Sequence, residues 1–127
     1  MSIERHVTNP ASGFAEAVTA VGPGRLIHVA GNVGFGADGK VVSGGMGAEA
    51  RATFDNIERT LGEVGAKMSD VVKINAFVTS LEDYAEYAQA RAERFGEQLP
   101  ASATVQVAGL LVGAQIEIDA VAFLPDN

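Results

Sequence analysis

Three side chains near the C-terminal end are of types that do chemistry: Ser102, Thr104 and Glu117. They fall within residues 99–123, LPASATVQVAGLLVGAQIEIDAVAF. A carboxylate beside two hydroxyls can orient a water as a general base or hold a small polar ligand. The flanking pattern positions them. Ala101, Ala103, Val105 and Val107 alternate with Ser102, Thr104 and Gln106, and Ile116, Ile118, Ala120 and Ala122 alternate with Glu117 and Asp119. A period of two places each set on its own face of a strand. If the two strands pair across the Gly-containing turn, the apolar sets line a core. Ser102, Thr104 and Glu117 then converge on the more polar face.

Other chemistries have less behind them. Ser102 would need a neighbouring base to act as a nucleophile, and His6 and His28, the only histidines, fall in no recognisable triad motif. Two isolated histidines without paired spacing, in a chain with no cysteine, make no metal site, thiolate or disulfide. His28, between Ile27 and Val29, reads as a structural histidine. Met46, Tyr84, Tyr87 and Phe95 read as packing residues. Gly44-Gly45-Met46-Gly47 lacks the ending of a P-loop and completes no dinucleotide fingerprint, so it reads as a loop giving backbone clearance. Glu49, near the start of the helix that follows, complements its dipole. No cofactor is expected.

The elements that must position these residues follow from periodicity and punctuation. Residues 3–7 read as a strand ended by Asn9-Pro10, residues 14–21 as a weaker strand, and residues 26–30 as a compact one after the Gly22-Pro23-Gly24 turn. Residues 31–47 are glycine-rich loop. Ala50, Phe54, Ile57, Leu61 and Val64 then recur at helical spacing, with Gly65 at the expected cap. Residues 71–79 form a long strand, Ser80-Leu81-Glu82-Asp83 matches a capping box, and Tyr84, Ala88, Ala92 and Phe95 share one face of a second helix. Helices between strands imply crossovers, hence an α+β fold: a mixed β-sheet with two helices packed on one face. Val29, Phe77, Val121 and Phe123 then point away from the helices. A single domain of 127 residues cannot hide that surface alone, which points to self-assembly.

The net charge of −7 and the scattered nine Lys and Arg disfavour a phosphate backbone, so no nucleic-acid partner is expected. No apolar run has the length of a signal peptide core or a membrane span. That predicts no membrane partner and a cytoplasmic location.

Pro-Ala-x-x-x-Val-x-Val followed by Ile-Glu-Ile-Asp-Ala-Val-Ala resembles the C-terminal pattern of the Rid family (YjgF/UK114-type proteins). Four further segments resemble that family in order and spacing: Gly13-Phe14-Ala15-Glu16-Ala17-Val18, Val29-Ala30-Gly31-Asn32, Asn56-Ile57 and Asp70-Val71-Val72-Lys73. The resemblance spans Ser12 to Phe123. It implies the chorismate-mutase-like Rid fold over residues 1–127, a homotrimer, and small-molecule sites in clefts between subunits. It also assigns site positions. Glu117 would be catalytic, orienting the attacking water. Phe14, Gly31, Ala88, Ser102 and Thr104 would bind substrate, Gly31 and Thr104 through their backbone. The family's founding deaminases carry a carboxylate-binding Arg where this chain has Ser102, a Tyr at Phe14 and an Asn near Ala88. A neutral hydroxyl cannot replace the planar charged fork of an Arg.

The resemblance therefore implies a protein acting on a small reactive metabolite, hydrolysing an imine or enamine with release of ammonia. The founding 2-aminoacrylate activity is not expected, and the substrate should lack the carboxylate that the missing Arg would hold. The alternative is a trimer that binds a small metabolite without turning it over, since Phe14, Ala88 and Ser102 leave a less polar pocket. An endoribonuclease, as some relatives have been called, comes third.

Overall fold

The computed structural model describes residues 2–126. Six strands and two helices follow one another as β1 (Ile3–His6), β2 (Ala17–Ala20), β3 (Gly24–Asn32), α1 (Gly45–Glu63), β4 (Val71–Val78), α2 (Tyr84–Phe95), β5 (Ala101–Gln106) and β6 (Ile116–Pro125). The main sheet has the order β3-β6-β4-β5. β6 runs antiparallel to both neighbours and β5 runs parallel to β4, as a helical crossover requires. β1 and β2 form a separate antiparallel hairpin. The chain is α+β, with two helices on one face of a mixed sheet.

The core lies between that face and the helices. Ala50, Phe54, Ile57 and Leu61 are buried from α1, with Ile74, Ala76 and Val78 from β4 and Ile116, Ile118, Ala120 and Ala122 from β6. Phe54 stacks near Tyr87, ring centroids 6.3 Å apart, and meets Phe95 edge-on at 5.5 Å. On the outer rim Arg51 grips Glu93 with Nε at 2.9 Å and Nη2 at 3.0 Å, and Arg94 Nη2 reaches Asp55 at 2.5 Å. The hairpin is held by Arg5, whose guanidinium donates to the carbonyls of Ser69, Val71 and Leu99. Ala15 N donates to Pro100 O at 2.9 Å, and Ala15 bridges Ala101.

Several expectations change. β5 and β6 do not pair: β4 lies between them, so they are next-nearest neighbours. α1 opens at Gly45 rather than at Ala50, which takes Gly45-Met46-Gly47 out of the loop and into the first turn. Val64 falls off its buried stripe, 44% exposed. In α2 the buried residues are Tyr87, Ala90, Arg91 and Phe95, while Ala92 faces solvent. Ser80 Oγ accepts from Glu82 N, capping a short turn that precedes α2. Val29 is in the helix-side core, opposite buried Ala120, whereas Phe77, Val121 and Phe123 do face away. His28 is exposed on that outer face and is no core residue.

Candidate active site

Glu117 sits on β6 opposite Phe77 of β4, on the sheet face turned away from the helices. Its carboxylate is half-buried and lines a cavity of about 200 Å³ with Gly31, Val33, Phe35, Leu111 and Val112. Beside it, the β3–β6 register shifts between Val29 and Asn32, so a bulge lifts the Gly31 backbone out of the ladder. Asn32 Nδ2 donates to Ala30 O at 2.8 Å and fixes that bulge. A Cβ on Gly31 would collide with Oε2 of Glu117 and lie 3.0 Å from its Cδ. A Cβ there would push the flexible Glu117 carboxylate aside.

The cavity walls have their own supports. Asn56, buried on α1, donates to Val33 O at 3.1 Å and Phe35 O at 3.2 Å, which holds that segment over the helix. On the other side, Val112 has φ 54° and projects, 64% exposed, next to Leu111. A β-branched residue in left-handed backbone carries steric strain. Glu49 is buried at the base of the segment entering β6. Its Oε1 accepts from Gln115 N at 2.8 Å and its Oε2 from Gln115 Nε2 at 2.7 Å.

Ser102 and Thr104 lie elsewhere. They stand opposite Ile74 and Ala76 of β4, two residues of the helix-side core. They therefore face α2, while Ala103 and Val105 occupy the outer face. The expectation that Ser102, Thr104 and Glu117 share one polar face is overturned. With them is Ala88, half-buried on α2, three residues before buried Arg91. Phe14 is close by in the chain path: Ser12 Oγ donates to Phe14 O at 3.2 Å, and Arg91 Nη2 donates to Ser12 O at 3.3 Å. The predicted site residues thus form two groups: Glu117 with Gly31 on the outer face, and Ser102, Thr104 and Ala88 on the helix face with Phe14 at its margin.

In the second group sequence reasoning missed Arg91 and took Tyr87 for packing alone. Arg91 Nη1 donates to Tyr84 Oη at 3.2 Å, and its guanidinium lies 5.3 Å from the Tyr87 ring centroid. Burial raises the pKa of the Tyr87 phenol above its ordinary value, opposed first by the charge of Arg91 and then by the hydroxyls of Ser102 and Thr104. The available signal was the spacing of Arg91, three residues beyond Ala88 and seven beyond Tyr84, on the same helical face. Among the described residues no group of three or more His, Cys, Asp or Glu is arranged to hold a metal ion.

A family model described as endoribonuclease L-PSP matches residues 6–124, nearly the whole chain. The chain belongs to the Rid family. A RutC family protein from Pyrococcus abyssi is 33% identical over 105 residues, spanning 82% of this chain and 83% of that one. A human protein named 2-iminobutanoate/2-iminopropanoate deaminase is 33% identical over 116 residues, covering 85% of each. Among solved structures, a Rid-family protein of unknown function from Yersinia pestis superposes with a TM-score of 0.85 at 28% identity, over 98% of this chain and 100% of that chain. The Rid fold is thus common to both, with the two helices on a mixed sheet. No helix among the described residues is long and apolar enough to cross a membrane.

Proposed function

We propose that this Rid-family chain hydrolyses the C=N bond of a small reactive imine, or of the imine tautomer of an enamine, and releases ammonia. The observation that carries this reading is Glu117 at the wall of a cavity, its carboxylate against the bulged backbone of Gly31. In that position Glu117 takes a proton from water as the water oxygen adds to the imine carbon. The proton passes to the nitrogen, the resulting carbinolamine collapses to a carbonyl, and nitrogen leaves as ammonia. Relatives named as imine deaminases support the reaction class.

A second copy of the chain is part of the proposal. Leu26 (60% exposed) and Val105 (47%) lie on the outer sheet face with half-buried Phe77 and Val121, an apolar surface that a homotrimer would cover. The Ser102 half of one subunit would then meet the Glu117 half of the next, and the ligand would sit between them. Because Ser102 stands where the founding deaminases carry Arg, their 2-aminoacrylate reaction is not proposed. Phe14, Ala88 and Ser102 also support the second reading, a trimer that holds a metabolite without turnover. Neither nucleic acid nor membrane is a partner in either reading, no cofactor is required, and the setting is the cytoplasm.

The deciding experiment is ammonia release from a panel of enzymatically generated imines, comparing the natural chain with Glu117→Gln. Loss of release in the variant supports the hydrolase. Release equal in both would sink the role of Glu117. If neither releases ammonia while a panel member raises the melting temperature, the binding protein is the better description.

A further inference from the structure

We propose that Glu49 is a positioning residue of the Glu117 cavity, holding both of its walls on helix α1 and so setting the space that a substrate enters. This role deepens the imine reading and rests on it only for the reaction. Glu49 is 3% exposed, and among the described residues no basic side chain forms a salt bridge with it. It also lies past the first turn of α1, where an acidic side chain would answer the helix dipole. A buried carboxylate is costly unless hydrogen bonds hold it. Here both oxygens are spent on one residue: Gln115 donates its backbone N–H to Oε1 at 2.8 Å and its Nε2 to Oε2 at 2.7 Å. Bonds to an ionised acceptor are the stronger class, and two of them fix the orientation of Gln115 as well as its place.

Gln115 is the joint between the Leu111–Val112 wall and Glu117. The turn that carries Leu111 and Val112 closes with Ala114 N donating to Leu111 O at 3.1 Å, and Gln115 follows immediately. The Gln115 carbonyl accepts from Thr79 N at 3.0 Å, just beyond the end of β4. The opposite wall, Val33 and Phe35, meets Glu49 through the glycine between them. A Cβ on Gly34 would lie 2.7 Å from Glu49 O and 3.1 Å from its Cα, so that segment rests on the Glu49 main chain. Buried Thr53 secures the same carbonyl, its Oγ1 donating to Glu49 O at 2.7 Å. One residue thus carries one wall on its side chain and the other on its backbone. Glu117 is anchored independently, opposite Phe77 in the β4–β6 ladder. Loss of the Glu49 carboxylate therefore loosens a wall and leaves the reacting group in place.

The test is steady-state kinetics of imine hydrolysis by the natural chain, Glu49→Ala and Glu49→Gln. Glu49→Ala is expected to raise KM at least about fivefold with kcat within about twofold, the signature of lost uniform binding. A residue that served stability alone would do the reverse, lowering kcat with the folded fraction and leaving KM. Glu49→Gln should behave as the natural chain, because its amide accepts from Gln115 N and donates to Gln115 Oε1 once that side-chain amide turns over. Unchanged KM in Glu49→Ala, or Glu49→Gln as impaired as Glu49→Ala, would overturn the role. Amide hydrogen exchange of the same chains is the second readout. Faster exchange in Glu49→Ala centred on Ala114 and Gln115 supports the role, whereas unchanged exchange there, or acceleration spread evenly over the chain, overturns it. If Glu49→Ala does not fold, Gln115→Ala, which removes only the side-chain bond, takes its place in both measurements. A natural chain that hydrolyses no imine sinks the imine reading, and the exchange result then decides for Glu49 alone.

Discussion

Ser102 and Glu117 lie on opposite faces of one sheet, with β4 between their strands: Ser102 stands opposite Ile74, and Glu117 opposite Phe77. A residue inserted at one position is therefore answered by the surroundings of its own face only. Ser102→Arg would push a long cation toward Tyr87 and the existing charge of Arg91. We expect it to destabilise the fold by about 1–3 kcal/mol, as overpacking does, when followed by urea unfolding. A companion Arg91→Ala exchange should recover part of that loss, and a double-mutant cycle would read the coupling.

Gly31 and Glu117 should be coupled just as directly. Gly31→Ala is expected to cost up to about 1 kcal/mol, the low end of overpacking, because the methyl meets the end of a flexible side chain, and to reduce any Glu117-dependent hydrolysis, since it displaces the carboxylate. Glu117→Ala in the same chain makes room for that methyl and should return most of the stability. Glu117→Gln, with the same bulk, should not. Melting temperatures of the four chains check this.

The Tyr87 phenol is held above its ordinary pKa of 10.0 mainly by burial. The folded state therefore keeps the proton more tightly than the unfolded chain. Its contribution is fully present below the unfolded value and declines as pH climbs from there through the folded value. We expect the melting temperature of the natural chain to fall more steeply with alkalinity above pH 10 than that of Tyr87→Phe. Parallel curves for the two chains would contradict the linkage.

Val112 offers a stability–function test. Left-handed backbone costs a non-glycine residue roughly 1–2 kcal/mol, partly offset by the roughly 0.5–1 kcal/mol entropy cost of glycine. Val112→Gly should therefore unfold at slightly higher urea concentration. It should also bind ligands of the Glu117 cavity more weakly, because an apolar wall is lost.

The helices were legible because their buried stripes are regular. Phe54, Ile57 and Leu61 repeat at helical spacing, and all three are buried. Strand neighbours were not legible, because alternation fixes which residues share a face and leaves open which strands lie side by side. That is why β4 between β5 and β6 went unseen. The faces of β5 were misread for a related reason. Polar residues were assigned outward, yet α2 presents Arg91 and Tyr87 to this strand, so its hydroxyls turn inward and Val105 turns out. Asn56 was visible as part of a motif, but its hold on Val33 and Phe35 depends on contacts more than 20 residues away in sequence.

The division of the site between two sheet faces has a genetic consequence. In the proposed ring, each active centre draws its carboxylate from one chain and its helix-side wall, with Ser102, from the next. A chain lacking Glu117 and a chain whose Ser102 wall is blocked would each be inert alone. Co-expressed, they would assemble mixed rings in which one boundary joins an intact Glu117 to an intact Ser102 wall. The two defects would complement each other between copies, and a cell carrying both alleles would regain activity that neither allele provides.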